Sequence, residues 1–376
     1  MPGLYIHIPF CRRKCPYCDF YSVADEGALL AGYPDLLRKH LAIAARDGWM
    51  GPFETVFFGG GTPSLLPPSV VTEILESVRE EIGLAPGVEV SLEANPGTIS
   101  VASLAGYRRA GVNRLSLGIQ SLRVDHLAAL GRIHSVEQAR QAVRWARQAG
   151  FDNLSCDLMF ALPGQTEGSL QAEVSEFLAL EPDHLSCYGL TVEEQTPFYH
   201  LHRAGGLDLP DEETYAVCFR LLHRCLTAAG YDHYEISNFA RPGSACRHNL
   251  AYWQRRPYLG IGAGAHSFCG RGWGERSAVA GDLAGYAERL SRGEAPGTTL
   301  EVFDRRGAMA ETLYLGLRTS AGVGEEEFRR RFGTGVAEAF PAAVRGAAEH
   351  LTMTNGSWQF DLEGWLLFDH FIVPFL

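Results

Sequence analysis

Along the first half of the chain, short apolar runs alternate with longer stretches whose apolar residues recur every three or four positions. Tyr5-Ile-His-Ile predicts a first strand. From about Tyr33 to Asp47 the apolar positions Leu36, Leu37, Leu41 and Ala44 have helical spacing, and Glu54-Thr-Val-Phe-Phe58 predicts a second strand. A helix follows from about Ser69 to Ile82, with Ile74, Leu75 and Val78 on its apolar face. Strands are predicted over Val88–Leu92 and Arg114–Ile119, and helices up to about Arg109, around Arg123–Leu130 and over Val136–Ala149. Leu154–Phe160 and Leu185–Leu190 are the fifth and sixth strands.

Six strands alternating with helical segments make a repeated β–α unit, and right-handed crossovers between such units give a parallel sheet. The expected fold class is therefore α/β, a partial (β/α)6 TIM-like barrel over residues 1–235, with six units rather than the eight of a closed barrel. Cys11, Gly59-Gly-Gly61, Glu93 and Gln120 follow the C-terminal ends of strands, and Asp157 sits in the middle of one. In a parallel barrel those ends share one face, and that face carries the chemistry.

Beyond about residue 210 the rhythm changes. Glu212–Ala229 predicts a further helix and Tyr234–Phe239 an extra strand. Residues 236–300 read as a loop-rich connecting region holding His248-Asn-Leu-Ala-Tyr-Trp253 and Gly260-Ile-Gly-Ala-Gly264, the latter a flexible loop. Arg292-Gly-Glu-Ala-Pro-Gly297 marks a join. Residues 301–376 are expected to form a small C-terminal α+β lobe of two helices and a short β ribbon.

Composition narrows the partners. The chain is 46% hydrophobic and 20% charged, with a formal net charge of -11, which argues against nucleic acid, whose binding depends on basic surface. Arg329-Arg-Arg331 is flanked by Glu325-Glu-Glu327 and reads as a solvated helix face. No apolar run reaches the roughly 18 residues expected of a spanning helix. Nine cysteines, scattered after the first three, predict reduced thiols in a cytoplasm. Association with a membrane surface is left to a partner.

The chemistry concentrates in Cys11-Arg-Arg-Lys-Cys15-Pro-Tyr-Cys18. Three thiolates within this stretch can hold a [4Fe–4S] cubane with one iron left open, since such a cluster ordinarily takes four cysteines. Two other readings stand beside it. Zinc needs a fourth ligand, for which His7 is the nearest candidate, and a disulfide would leave the third thiol unpaired. Gly59-Gly-Gly-Thr-Pro is a glycine turn after a strand, which lets backbone approach a ligand or merely turns the chain. Glu93, Gln120 and Asp157 on the same face suggest a ligand cradle.

Cys-x3-Cys-x2-Cys with Tyr17 before the last cysteine resembles the signature of radical S-adenosylmethionine enzymes. Six further blocks resemble the oxygen-independent coproporphyrinogen III oxidase group: Tyr5-Ile-His-Ile-Pro-Phe-Cys, Gly59-Gly-Gly-Thr-Pro-Ser, Leu92-Glu-Ala-Asn-Pro, Gly118-Ile-Gln-Ser, Asp157-Leu-Met-Phe-Ala-Leu-Pro-Gly and Gly264-Ala-His-Ser-Phe. The resemblance extends to about Phe268. It implies that Cys11, Cys15 and Cys18 hold the cluster and that S-adenosylmethionine chelates the open iron, where reduction through an electron donor cleaves it to a radical. Tyr5, Gly60 and Glu93 match contacts of that S-adenosylmethionine. Tyr17, Gly61, Thr62, Gln120, Arg132 and Asp157 match contacts of a second one in the oxidase.

Within this group the resemblance leaves two functions: the oxidase, which decarboxylates coproporphyrinogen, and a haem chaperone that delivers haem to respiratory proteins. The oxidase carries a further cysteine where this chain has Phe20, and it has a sizeable segment before its first strand where only Met1 to Gly3 stand here. His248-Asn-x-x-Tyr-Trp253 resembles the chaperone's haem-binding motif. The expectation is therefore a haem chaperone without coproporphyrinogen oxidase activity. His248 is the haem-ligand candidate, with Tyr252 and Trp253 flanking the macrocycle, and His266 is a second candidate.

Overall fold

The computed structural model describes residues 2–24 and 28–376; Met1, counted above in the short lead before the first strand, lies outside them. Strand β1 (Gly3–Ile8) is followed by two short strands, β2 (Phe10–Cys11) and β3 (Val23–Ala24), which pair with each other across the cysteine loop. Next come β4 (Phe53–Gly60), β5 (Leu84–Ala94), β6 (Arg114–Gln120), β7 (Leu154–Phe160) and β8 (His184–Gly189). β1 and β4 to β8 lie side by side in chain order and run parallel. Their crossovers carry helices α1 (Ala28–Arg46), α2 (Pro68–Glu81), α3 (Val101–Ala110), α4 (Val124–Ala129), α5 (Val136–Gln148) and α6 (Glu167–Leu178). The chain has the expected α/β fold with six β–α units. Helix α6 was not expected, although Leu170, Val174 and Phe177 have helical spacing and are buried.

Each strand divides its residues between two environments. In β6, Leu115, Leu117 and Ile119 are fully buried on one face, while Arg114, Ser116, Gly118 and Gln120 take the other. Successive side chains point to opposite sides of a sheet, so one row packs under the helices and the other lines the lumen. β1 repeats the split with Leu4, Ile6 and Ile8 against Tyr5 and His7, and β5 with Val90 and Leu92 against Glu89 and Glu93. The helices answer with narrow apolar stripes. α5 buries Ala139, Ala142, Val143 and Ala146, small residues that let it approach the sheet, and Ser135 and Gln138 close its N-terminus as a capping box. That cap contributes about 1 kcal/mol.

The region read as loop-rich is instead built into the sheet. After α7 (Pro197–Arg203) and α8 (Glu212–Ala228), the predicted extra strand is a hairpin, β9 (Asp232–Glu235) and β10 (Asn238–Ala240), and β10 adds antiparallel to β8. Helix α9 (Arg247–Trp253) carries the His248 motif. β11 (Tyr258–Ile261) pairs parallel with the free edge of β1. β12 (His266–Cys269), β13 (Glu275–Val279) and β14 (Gly297–Val302) extend that edge antiparallel, with α10 (Leu283–Ser291) between the last two. Twelve strands among the described residues form this one sheet. Gly260 is no flexible-loop residue: a Cβ there would fall 2.0 Å from the His266 carbonyl oxygen, so glycine is what lets β11 close on its neighbour. Arg292–Gly297 joins α10 to β14 rather than dividing two units.

The remainder holds more than two helices and a ribbon. Helix α11 (Arg305–Gly316) leads to a three-stranded sheet made of β15 (Val323–Gly324), β16 (Leu351–Thr354) and β17 (Ser357–Phe360), with short helices around it. Ion pairs bind it to the main sheet: Arg318 reaches the buried Glu235 at 2.9 Å, and Glu311 receives both Arg255 and Arg276.

Candidate functional site

The cysteine loop leaves the C-terminal end of β1, with its base pinned by the β2–β3 pairing. Cys11 is buried, and Cys15 and Cys18 are half-buried. The backbone N–H of Cys18 donates to the Cys15 carbonyl at 3.1 Å, which turns the two thiols together. Two donors reach the sulfurs: Thr62 Oγ1 lies 3.4 Å from Cys11 Sγ, and Arg132 Nη1 lies 3.5 Å from Cys15 Sγ. All nine cysteines are free, which removes the disulfide reading. His7 is committed elsewhere, with Nδ1 3.1 Å from the Tyr5 hydroxyl and Nε2 2.9 Å from the Tyr21 carbonyl oxygen. Zinc is not favoured.

The glycine turn packs directly against that loop. A Cβ on Gly61 would lie 2.7 Å from the carbonyl oxygen of Phe10 and 2.9 Å from its nitrogen. Gly60 has φ +109°, a conformation open to glycine, and its N–H donates to Glu93 Oε2 at 3.2 Å. Burial, reinforced by the charge of Asp157, pushes the Glu93 carboxyl up to about 8. Burial likewise raises Asp157 to about 6, although Ser116 Oγ donates to its Oδ1 at 3.1 Å and opposes the rise.

Arg132 ties the rim together. Its Nη2 donates to the Gly118 carbonyl at 2.7 Å and to Asn95 Oδ1, and Asn95 Nδ2 donates to Thr62 Oγ1 at 3.0 Å. A continuous polar chain thus runs from Cys11 through Thr62, Asn95 and Arg132 to Cys15. Gln120 closes β6 with φ +69°, a left-handed conformation unusual for a side-chain-bearing residue. Tyr17 packs on Phe198, with ring centroids 6.2 Å apart, and burial raises its hydroxyl pKa. Phe20 is 69% exposed at the mouth.

His248 lies at the other end of the barrel. Glu89, buried in the first half of β5, accepts the backbone N–H groups of Arg247 and His248 at 3.2 and 3.1 Å, so its carboxylate anchors the N-terminus of α9 under the strands. His248 is 1% exposed, its Nδ1 lies 2.8 Å from Thr55 Oγ1, and its Nε2 lies 2.7 Å from the Tyr252 hydroxyl. Burial, then the nearby Arg114 charge, lowers its pKa to about 3, so the ring is neutral.

One cavity joins the two ends. It is lined from Gly60 and Glu93 through Asp157 and Arg114 to His248 and Tyr252. The structure therefore brings Tyr5, Gly60, Glu93, Asp157 and His248 to one space. Cys11, Cys15, Cys18, Gly61, Thr62, Gln120 and Arg132 stand outside its lining, at or beyond the C-terminal ends of the strands. It does not bring Trp253 or His266 there: Trp253 packs under the Arg318 guanidinium, 4.9 Å from the ring centroid, and His266 is exposed on β12. The cavity wall around His248 is mixed, with Arg114, Ser116 and Ser186 in it. Those three, with Asn95 and Glu89, escaped the sequence reading. Their signal was the two-residue period of the strands, which places every second polar residue in the lumen.

A family model described as the radical SAM superfamily matches residues 5–176, and one described as the HemN C-terminal domain matches residues 303–367. A Bacillus subtilis protein named heme chaperone HemW is 34% identical over 93% of this chain and 92% of its own length. The chain belongs to the radical SAM superfamily and to its HemW family. The Escherichia coli protein of the same name is 42% identical over 70% of this chain and 69% of its own length. Coproporphyrinogen III oxidase (HemN) of Escherichia coli covers the whole chain and 90% of its own with a TM-score of 0.84; at 23% identity this shows a shared fold. Membership in the superfamily implies a [4Fe–4S] cluster and S-adenosylmethionine.

The residues present fit both groups. Three free thiols share one loop, and two of them already receive hydrogen bonds of the kind that stabilise thiolate ligands. The glycine turn leaves no room for a side chain and presents backbone beside the half-buried Glu93 carboxyl. No helix among the described residues is long and apolar enough to cross a membrane.

Proposed function

We propose that this chain is a haem chaperone that holds a [4Fe–4S] cluster and S-adenosylmethionine, binds haem and passes it to haem-accepting respiratory proteins in the cytoplasm or at a membrane surface reached through them. The observation that carries this reading is the 34% identity to a protein named heme chaperone HemW, sustained over 93% of the chain. Cys11, Cys15 and Cys18 are assigned to the cluster, with Thr62 and Arg132 steadying the sulfur charge. Tyr5, Gly60 and Glu93 are assigned to S-adenosylmethionine at the open iron. Tyr17, Gly61, Thr62, Gln120, Arg132 and Asp157 complete the rim, where a second such molecule binds in the oxidase. The cluster and S-adenosylmethionine together supply one-electron reductive cleavage at a sulfonium.

The chain's own residues arrange that centre and shield it. Arg132 is held by Gly118 and Asn95, so its guanidinium stays aimed at Cys15. Arg12, Arg13 and Lys14 are exposed on the cysteine loop of a chain with net charge -11 and offer a local basic surface to an acidic electron donor. His248 is the proposed iron ligand for haem, a role that requires its Nε2 to leave the Tyr252 hydroxyl.

The test is an anaerobic titration of cluster-reconstituted protein with haemin, followed by mixing with the haem-free form of a respiratory haem protein. The haem absorption band is expected to form and then move to the acceptor. The same protein, given coproporphyrinogen, S-adenosylmethionine and a reductant, is expected to make no protoporphyrinogen. Conversion of coproporphyrinogen, or absence of haem binding, overturns the reading.

A further inference from the structure

We propose that the barrel cavity takes a ligand bearing a carboxylate and that Arg114 is the residue that receives it. Arg114 is the first residue of β6 and belongs to the row of that strand that faces the lumen, where it lines a cavity of about 200 Å³ open at the mouth. It is 2% exposed. Among the described residues its guanidinium has no hydrogen bond or ion pair, and its Nε is buried without a partner.

The nearby carboxylates are otherwise engaged. Glu89 accepts the N–H groups of Arg247 and His248 at the start of α9, and Asp157 accepts the Ser116 hydroxyl. Both lend Arg114 charge from a distance, but neither bonds it. The carboxyl of Glu93 is itself pushed up to about 8, which weakens the negative charge near Arg114 at neutral pH, whereas Asp157, raised only to about 6, keeps most of its charge there without bonding the guanidinium. A guanidinium stays protonated throughout this range. A buried charge is ordinarily paired, and the planar fork of arginine matches a carboxylate with two parallel hydrogen bonds. The cavity thus holds the cationic half of an ion pair.

Two ligands of this protein's proposed chemistry carry the other half: haem, through its propionates, and S-adenosylmethionine, through its amino-acid carboxylate. The inference deepens the haem reading above and rests on it for the first of these. The experiment compares full-length, cluster-reconstituted wild type with Arg114→Met and Arg114→Lys. Each is titrated with haemin, with haemin dimethyl ester, in which both propionates are blocked, and with S-adenosylmethionine followed by the cluster spectrum. Melting temperatures of the ligand-free proteins are recorded alongside.

With a propionate on Arg114, wild type binds haemin at least about tenfold more tightly than the diester, and Arg114→Met loses that preference while binding the diester unchanged. Arg114→Lys, with charge but no fork, falls between. A loss of S-adenosylmethionine affinity in Arg114→Met, with haemin unaffected, assigns the carboxylate to S-adenosylmethionine and supports the site with that ligand. Titrations are run well below the melting temperature of each variant, so that lost affinity is not unfolding. Arg114→Met with unaltered affinity for haemin and S-adenosylmethionine overturns the proposal, and a lowered melting temperature with both affinities intact assigns Arg114 to the fold. If wild type binds no haemin, the haem reading fails and the S-adenosylmethionine titration alone decides the proposal.

Discussion

His248 Nε2 lies 2.7 Å from the hydroxyl of Tyr252, one helical turn further along α9. With Nδ1 bonded to Thr55 on β4, the imidazole has no nitrogen left for a metal. Haem ligation and the closed barrel floor therefore compete for one atom. Loss of His248 also leaves the hydroxyls of Thr55 and Tyr252 without this partner.

Tyr252→Phe is accordingly expected to free Nε2 and raise haem affinity about three- to tenfold, the net value of one hydrogen bond. His248→Ala is expected to remove or shift the haem band and to cost about 1–3 kcal/mol of stability through the unsatisfied hydroxyls. Haem titrations and melting curves on both variants check this. An unchanged haem band in both would remove His248 as the ligand.

The barrel was legible because its strands and helices have different periods. What the sequence concealed has two physical causes. β11 to β14 are short and interrupted by glycines at 260, 262 and 264, so their local pattern is that of loops; only pairing with the free edge of β1 makes them strands. Arg114 and Glu89 stood within runs already assigned as strand or its approach, and a charge there is explained only when the lumen face is known. His248 shows the reverse case: its motif was visible, but its two bonding partners come from β4 and from the next turn of its own helix.

The cysteine assignment is separable from the remaining thiols. Cys11→Ala, Cys15→Ala and Cys18→Ala are each expected to abolish the brown chromophore after anaerobic reconstitution, with iron and acid-labile sulfide falling in parallel. Cys156 and Cys187 are 0% and 3% exposed on the faces of β7 and β8 that pack against helices, where burial raises their thiol pKa values. Their alanine variants should load normally and lose only about 1 kcal/mol of stability from the small void. A triple variant of Cys11, Cys15 and Cys18 that still loads a full cluster would sink the assignment.

Glu93 gives the ligand-free protein a pH dependence of definite sign. Its carboxyl pKa is higher in the fold than in the unfolded chain, so the fold binds this proton more tightly, and stability falls as pH rises from the ordinary carboxylate range to about 8. The contribution is fully present below the ordinary carboxylate value and gone above about 8. Asp157, raised to about 6, acts in the same direction over a narrower window. Glu93→Gln keeps an oxygen for the Gly60 N–H but carries no proton equilibrium. The variant should melt about 2 °C or more above wild type at pH 8.5, and lose that advantage at pH 5. Glu93→Ala, which also removes the Gly60 acceptor, should weaken S-adenosylmethionine binding with the cluster intact. Parallel melting curves of wild type and Glu93→Gln across this range would mean that Glu93 is ionised and paired in the fold.

The glycine turn provides the sharpest steric test. A Cβ on Gly61 would meet the Phe10 carbonyl oxygen at 2.7 Å, the Phe10 nitrogen at 2.9 Å and the Ile8 carbonyl oxygen at 3.0 Å, all backbone atoms of the segment that starts the cysteine loop. No rotamer change relieves these contacts, so the turn and the cysteine loop must separate. Gly97, in the neighbouring β–α loop, is the control, because its Cβ would meet only His134 Cβ at an ordinary 3.6 Å. Gly61→Ala is expected to cost about 1–3 kcal/mol and to reduce S-adenosylmethionine affinity at least about tenfold, with a lower cluster yield. Gly97→Ala should stay within about 0.5 kcal/mol of wild type and bind normally. Binding is measured well below both melting temperatures, so that a loss reflects the displaced loop and not unfolding. If Gly61→Ala melts and binds as wild type does, the close approach of the two loops is not what shapes the site, and Gly60 with Glu93 must form the cradle without it.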